Sequence, residues 1–139
     1  MAEVALCTIL YVEDDPDDAL LFKRAFNRAV IPCVLHCVNS TDQARCYLLG
    51  EDPYSDREKF PMPNLVITDL TLQGEGESAL SFIRWLQDQS DLPGIAVACL
   101  TGSDDPRKLR EITDLGVSII RKTSVLDDAL EIVRKIIFR

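Results

Sequence analysis

The sequence predicts an α/β fold: a doubly wound, five-stranded parallel sheet with five helices in three layers. Short apolar runs of strand length alternate with amphipathic stretches along the whole chain. Parallel strands need crossover helices, and right-handed crossovers on both faces wind the sheet twice. Several of the apolar runs also end on polar, chemistry-bearing residues, and the carboxyl ends of strands are where such sheets bind ligands.

TILYV (8–12) is β-branched, short and followed by acids, so it reads as a buried first strand. Residues 17–29 put Leu21, Phe22, Ala25, Phe26 and Ala29 on one helical face. Pro16 suits the start of that helix, and the acids of its first turn complement the helix dipole. CVLHCV (33–38) is the second strand, and Ser40 or Thr41 caps a helix that runs through Leu49. Residues 50–63 are polar and contain three prolines, a loop held at its Phe60 end by packing. LVIT (65–68) is the third strand, and Ala79, Phe82, Ile83 and Leu86 form a helical stripe. GIAVACL (94–100) is apolar at every non-glycine position, as expected for a strand covered on both faces. Leu109 and Ile112 carry the apolar face of 105–114, VSII (117–120) is a fifth strand, and 125–138 has the strongest stripe.

At 139 residues the chain reads as one domain, residues 1–139, with a core of its own. Its net charge of −8 repels phosphate backbones, and its basic residues are scattered among acids, which argues against nucleic acid as a partner. No apolar run is long enough to cross a membrane, and the start MAEVALCTIL lacks the features of a signal peptide, so a cytoplasmic protein is expected. The five cysteines read as small core hydrophobes in a reducing compartment. With one histidine and no CxxC pair, zinc is not expected, and His36 reads as structural.

The chemistry lies at the strand ends. Glu13 and Asp14 follow ILYV, Asp69 follows LVIT, Thr101 follows AVACL, and Lys122 follows SIIR. Acids, a hydroxyl and a lysine at one sheet edge form the inventory of a phosphoryl-transfer site that uses a divalent cation. A carboxylate can attack a phosphoryl donor to give an acyl phosphate. The obstacle is anion–anion repulsion, which Mg2+ on one or two carboxylates relieves. A lysine adds a point cation, and a hydroxyl can donate to a phosphoryl oxygen only once that oxygen is present.

The run ILYVEDD, ITDL, LTGS, GVSIIRK resembles the receiver domain of two-component response regulators, over essentially the whole chain. The long segment before NLVITDL and the LTGSDD run resemble stand-alone, single-domain receivers of the phytochrome-associated type. The resemblance implies a flavodoxin-like strand order, 2-1-3-4-5, with no output domain attached. It implies Asp69 as phospho-acceptor, with Glu13, Asp14, Asp69 and the Thr71 backbone carbonyl around Mg2+. Thr101 matches the switch hydroxyl and Lys122 the lysine of the pattern. The implied role is not that of an enzyme. The donor is a sensor histidine kinase or phosphotransfer protein, and a downstream protein target reads the change. The face formed by residues 105–138 is the expected partner surface and a possible homodimer interface.

The sequence departs from the pattern at three places. Thr123 stands where a proline usually follows the lysine, so a trans Lys122–Thr123 bond is expected, because a cis bond to a non-proline costs about 3–4 kcal/mol. Leu72-Gln73-Gly74-Glu75-Gly76-Glu77 replaces a proline-containing turn after the acceptor. Ile119 takes the place of a rotating aromatic. These departures define an alternative: a receiver-like interaction domain that does not switch. A phosphatase with an aspartyl nucleophile is opposed by the absence of a second acid two residues after Asp69. An FMN site is opposed by the lack of a Ser/Thr/Gly-rich loop after TILYV.

Overall fold

The computed structural model describes residues 7–70, 78–92, 94–102 and 105–121. Within them the chain runs β1 (Cys7–Val12), α1 (Pro16–Arg28), β2 (Cys33–Val38), α2 (Thr41–Leu49), β3 (Leu65–Asp69), α3 (Ala79–Gln87), β4 (Ala96–Thr101), α4 (Pro106–Asp114) and β5 (Ser118–Arg121). The strands form one parallel sheet in the order β2-β1-β3-β4-β5. This is the expected doubly wound topology. The expected last helix, the turn 72–77 and the Lys122–Thr123 bond lie outside the described residues.

The order follows from burial. All six residues of β1 are buried, as a central strand covered on both faces requires. Alternate residues feed opposite layers: Ile9 and Tyr11 join Phe22 and Phe26 of α1 on one side. Leu10 and Val12 meet α2 and α3 through Tyr47, Leu48, Phe82 and Leu86 on the other. A third cluster, Ile83, Cys99, Ile112 and Val117, seats α4 beside α3. β2 lies at the sheet edge, and its Val34 is exposed.

The reading of all five cysteines as separate hydrophobes is corrected at two of them. Cys7 and Cys33 are register partners on β1 and β2, their Cα atoms 4.6 Å apart, and their sulfurs are joined in a disulfide. Parallel pairing places both at strand starts, where their side chains meet. Cys37, Cys46 and Cys99 are free.

The polar segment between α2 and β3 is fastened by aromatic packing. Tyr54 and Phe60 meet at 5.1 Å, both pack on Tyr47, and His36 lies 5.7 Å from Tyr47 and 5.8 Å from Phe60. His36 is therefore structural. Gly50 stops α2 in the left-handed region (φ 70°), and the turn returns Gly50 N to Tyr47 O at 3.2 Å and Glu51 N to Cys46 O at 2.9 Å. Arg57 adds donors at the same helix end, to Tyr47 O at 2.8 Å and Leu48 O at 3.0 Å, and reaches Phe60 O at 3.1 Å. One guanidinium thus caps the helix and pins the loop.

Replacing Arg57 with Ala should lower unfolding free energy by about 1–3 kcal/mol, measured in urea, because charged hydrogen bonds to buried carbonyls are lost. An unchanged midpoint would show that solvent replaces them. Burial also holds the His36 imidazole below its ordinary value. As pH falls, the unfolded chain takes up this proton first. The contribution is complete above roughly pH 6.5, the unfolded value, and is lost as pH falls toward the lower folded value. Thermal midpoints of His36→Gln should therefore decline less than those of the wild type between about pH 7 and 5; parallel declines would exclude His36 as the cause.

Candidate functional site

The carboxyl ends of β1, β3 and β4 converge. Asp69 is the last residue of β3 and pairs in register with Leu100, while Thr101 ends β4 one residue further. Leu70 N donates to Leu100 O at 2.9 Å, so the two strands stay paired past Asp69. Glu13, just beyond β1, donates its backbone N to Val38 O at 3.0 Å, which keeps it in the sheet edge. All three are nearly sealed: Glu13 is 3%, Asp69 1% and Thr101 1% exposed.

α1 starts immediately after this edge. Asp15 is its N-cap and accepts from Asp17 N at 2.9 Å and Asp18 N at 3.4 Å, and Pro16 occupies the first turn where no N–H is required. The cap fixes the first turn so that Asp18 points back to the strand ends. One carboxylate oxygen from each of Glu13, Asp18 and Asp69 lies within 4.8 Å of the others. An all-oxygen set of this kind suits a hard divalent cation such as Mg2+ or Mn2+.

Glu13 is held at both oxygens. Tyr11 Oη donates to Oε1 at 3.1 Å, and Asp15 N lies 3.4 Å from Oε2. Burial first, then the charge of Glu13 and its hydrogen bond, and then the Asp69 charge, push the Tyr11 phenol far above its ordinary range. It therefore remains a donor. Behind Asp69, burial and the Asp69 charge push the Cys99 thiol up to about 12, so it stays a neutral wall of the site.

Of the residues singled out in the sequence, the structure brings Glu13 and Asp69 together and sets Thr101 at the end of the neighbouring strand. Asp14 is half-buried and stands outside the three-carboxylate group. It lines a cleft of about 450 Å³ with Glu13, Pro16, Lys23, Cys37 and Gln43. Thr71 and Lys122 lie outside the described residues. Asp18 was not singled out by sequence. Its signal was its place as the third residue of a helix that begins directly after a strand-end acid.

No protein-family model matches the sequence, and no curated protein does. Solved structures do. The response regulator RPA3017 of red-light signalling in R. palustris superimposes with a TM-score of 0.78 at 22% identity, over 92% of each chain. The Mn2+-bound form of the response regulator Rcp1 gives 0.73 at 26%, over 94% of this chain and 91% of that one. The phosphorylated cyanobacterial phytochrome response regulator RcpA gives 0.74 at 25%, over 94% and 90%. The chain thus has the receiver fold of response regulators, and its structural neighbours include phytochrome-associated regulators.

If Glu13, Asp18 and Asp69 share one cation, Asp18→Asn should weaken Mn2+ binding at least tenfold, about 1.4 kcal/mol. Calorimetric titration beside Asp14→Asn ranks the two acids. Unchanged affinity in Asp18→Asn would remove it from the shell.

Proposed function

We propose that the chain is a phospho-accepting receiver of a histidine-to-aspartate phosphorelay, with Asp69 taking a phosphoryl group from a sensor histidine kinase or a phosphotransfer protein. The observation that carries this reading is the carboxylate group at the carboxyl edge of a receiver fold, in which Glu13 and Asp69 are buried and Asp18 half-buried. A signalling role of this kind needs no turnover of a free substrate, so the chain is not read as an enzyme.

In the transfer an Asp69 oxygen attacks phosphorus and the P–N bond of phosphohistidine breaks. Its electron pair returns to the imidazole, which leaves neutral because its other nitrogen carries a proton. A bound Mg2+ would supply charge neutralisation between the carboxylate and the phosphoryl oxygens. Glu13, Asp14, Asp18 and Asp69, with the Thr71 carbonyl, are the groups that would hold it. The Mn2+-bound Rcp1 neighbour supports a divalent ion in a site of this type. The Thr101 hydroxyl is the donor for a phosphoryl oxygen, and Lys122 is the cation of the pattern.

A non-switching interaction domain is the second reading, and Ile119 favours it. This half-buried aliphatic packs beside Ile83, Cys99, Ile112 and Val117, where a rotating aromatic would otherwise couple Thr101 to the α4–β5 surface. Output to a downstream protein, or to a second copy, is assigned to residues 105–138, of which α4 and β5 are described. The cytoplasm is the expected compartment. The Cys7–Cys33 bond is the one described feature that a reducing cytosol would not preserve.

Incubation with a small phosphodonor and Mg2+ should add about 80 Da, one phosphoryl group. The adduct should vanish in Asp69→Ala and without the metal. Mass spectrometry that finds no adduct on the wild type would favour the non-switching reading.

A further inference from the structure

The side chain that holds Glu13 is itself unusual for its place. β1 is otherwise aliphatic or small, and its central positions need only apolar volume. Tyr11 is 0% exposed, yet carries a hydroxyl into that layer. Its ring stacks on Phe22 of α1 at 4.2 Å, which fixes its plane. Residues two apart on a strand share a face, so the phenol points along β1 toward Glu13 just beyond its end. There it donates to Glu13 Oε1 at 3.1 Å. The Asp15 amide takes the other oxygen. A glutamate has three side-chain torsions, and leaving it unpinned would cost ordering entropy when a cation arrives.

We propose that Tyr11 is a positioning residue for the divalent-cation site: stacked on Phe22, it holds the Glu13 carboxylate beside Asp18 and Asp69 before the ion binds. The inference rests on the reading of Glu13 as a metal ligand. Tyr11 does not touch the cation or the phosphoryl group; it acts through Glu13. Groups that orient metal ligands from behind are generally worth ten- to a hundredfold in metal affinity.

The test uses the whole chain and Mn2+ as the probe. Tyr11→Phe removes one oxygen and leaves the stacked ring, and thermal unfolding checks that the fold is kept. Calorimetry should show the Mn2+ dissociation constant rising about ten- to a hundredfold. With a small phosphodonor, the half-saturating metal concentration should rise by the same factor, while the rate at saturating metal changes less than twofold. In a Glu13→Gln background the same substitution should have little further effect, because its route is already cut. Phe22→Leu, which loosens the ring without removing the hydroxyl, should weaken Mn2+ binding in the same direction but by less than Tyr11→Phe does. A mutation-free readout guards against a variant that does not fold: Mg2+ addition should shift the tyrosine ultraviolet spectrum of the wild type.

Equal Mn2+ affinity in Tyr11→Phe and wild type overturns the inference alone. So does an equal loss with and without Glu13, or a tyrosine spectrum that Mg2+ leaves unchanged. A wild-type chain that binds no Mn2+ and forms no adduct overturns the receiver reading as well.

Discussion

Three carboxylates drawn to within 4.8 Å of one another set the terms for the carboxyl edge of this sheet. At that separation each ionised pair repels by about 3–4 kcal/mol at an effective dielectric near 20. A helix N-terminus offsets only about 0.3–1 kcal/mol of such charge. The arrangement therefore calls for fixed donors around the acids, and its all-oxygen geometry is consistent with a divalent cation. The chain supplies the donors from nearby sequence. The Asp15 cap turns α1 so that its first turn faces the acids, and Tyr11 reaches Glu13 from within β1.

The rest of the fold keeps that edge rigid. β1 and β3, which deliver Glu13 and Asp69, are buried along their whole length, between α1 on one face and α2 and α3 on the other. Strand pairing continues beyond the strands through Glu13 N to Val38 O and Leu70 N to Leu100 O. Away from the site, the segment between α2 and β3 makes a small aromatic layer of its own. Arg57 secures it to the end of α2. This irregular segment is thus held by packing of its own, away from the strand ends that carry Glu13 and Asp69.

How much of this could be read from sequence depended on the range of the interaction. Glu13, Asp69 and Thr101 were visible because each directly follows or ends an apolar run, and a parallel sheet gathers such ends at one edge. Asp18 was hidden by a sufficient local explanation: an acid in a first helical turn already satisfies the dipole. Only the direction in which the Asp15 cap sends the helix shows its second use. The Cys7–Cys33 bond was hidden for a different reason. It needs the β1–β2 register, and with five cysteines that pairing cannot be chosen by spacing. Tyr11 looked like one more core residue because its ring does the work of one; its hydroxyl acquires meaning only from Glu13.

Under the proposed receiver reading, a structural response to phosphoryl transfer would depend on the far side of β4. In a switching receiver the acceptor's new charge must favour one of two arrangements of a packed element, since a ligand shifts an equilibrium only through contacts that differ between states. Thr101 is sealed at the end of β4, so any movement of its hydroxyl is felt by the layer behind it. That layer contains Ile119, a stiff β-branched side chain packed among Ile83, Cys99, Ile112 and Val117. An isoleucine there has no ring to exchange between buried and exposed positions, and its burial changes little with rotamer. Signal, if it leaves by this route, must therefore travel as a shift of α4 against β5 as packed bodies. The cover on α4 is thin, since Ile112 is its one buried side chain. Among the described elements, a helix so lightly anchored needs little free energy to move, so under the proposed reading α4, rather than any single side chain, is the element best placed to respond to the state of Asp69.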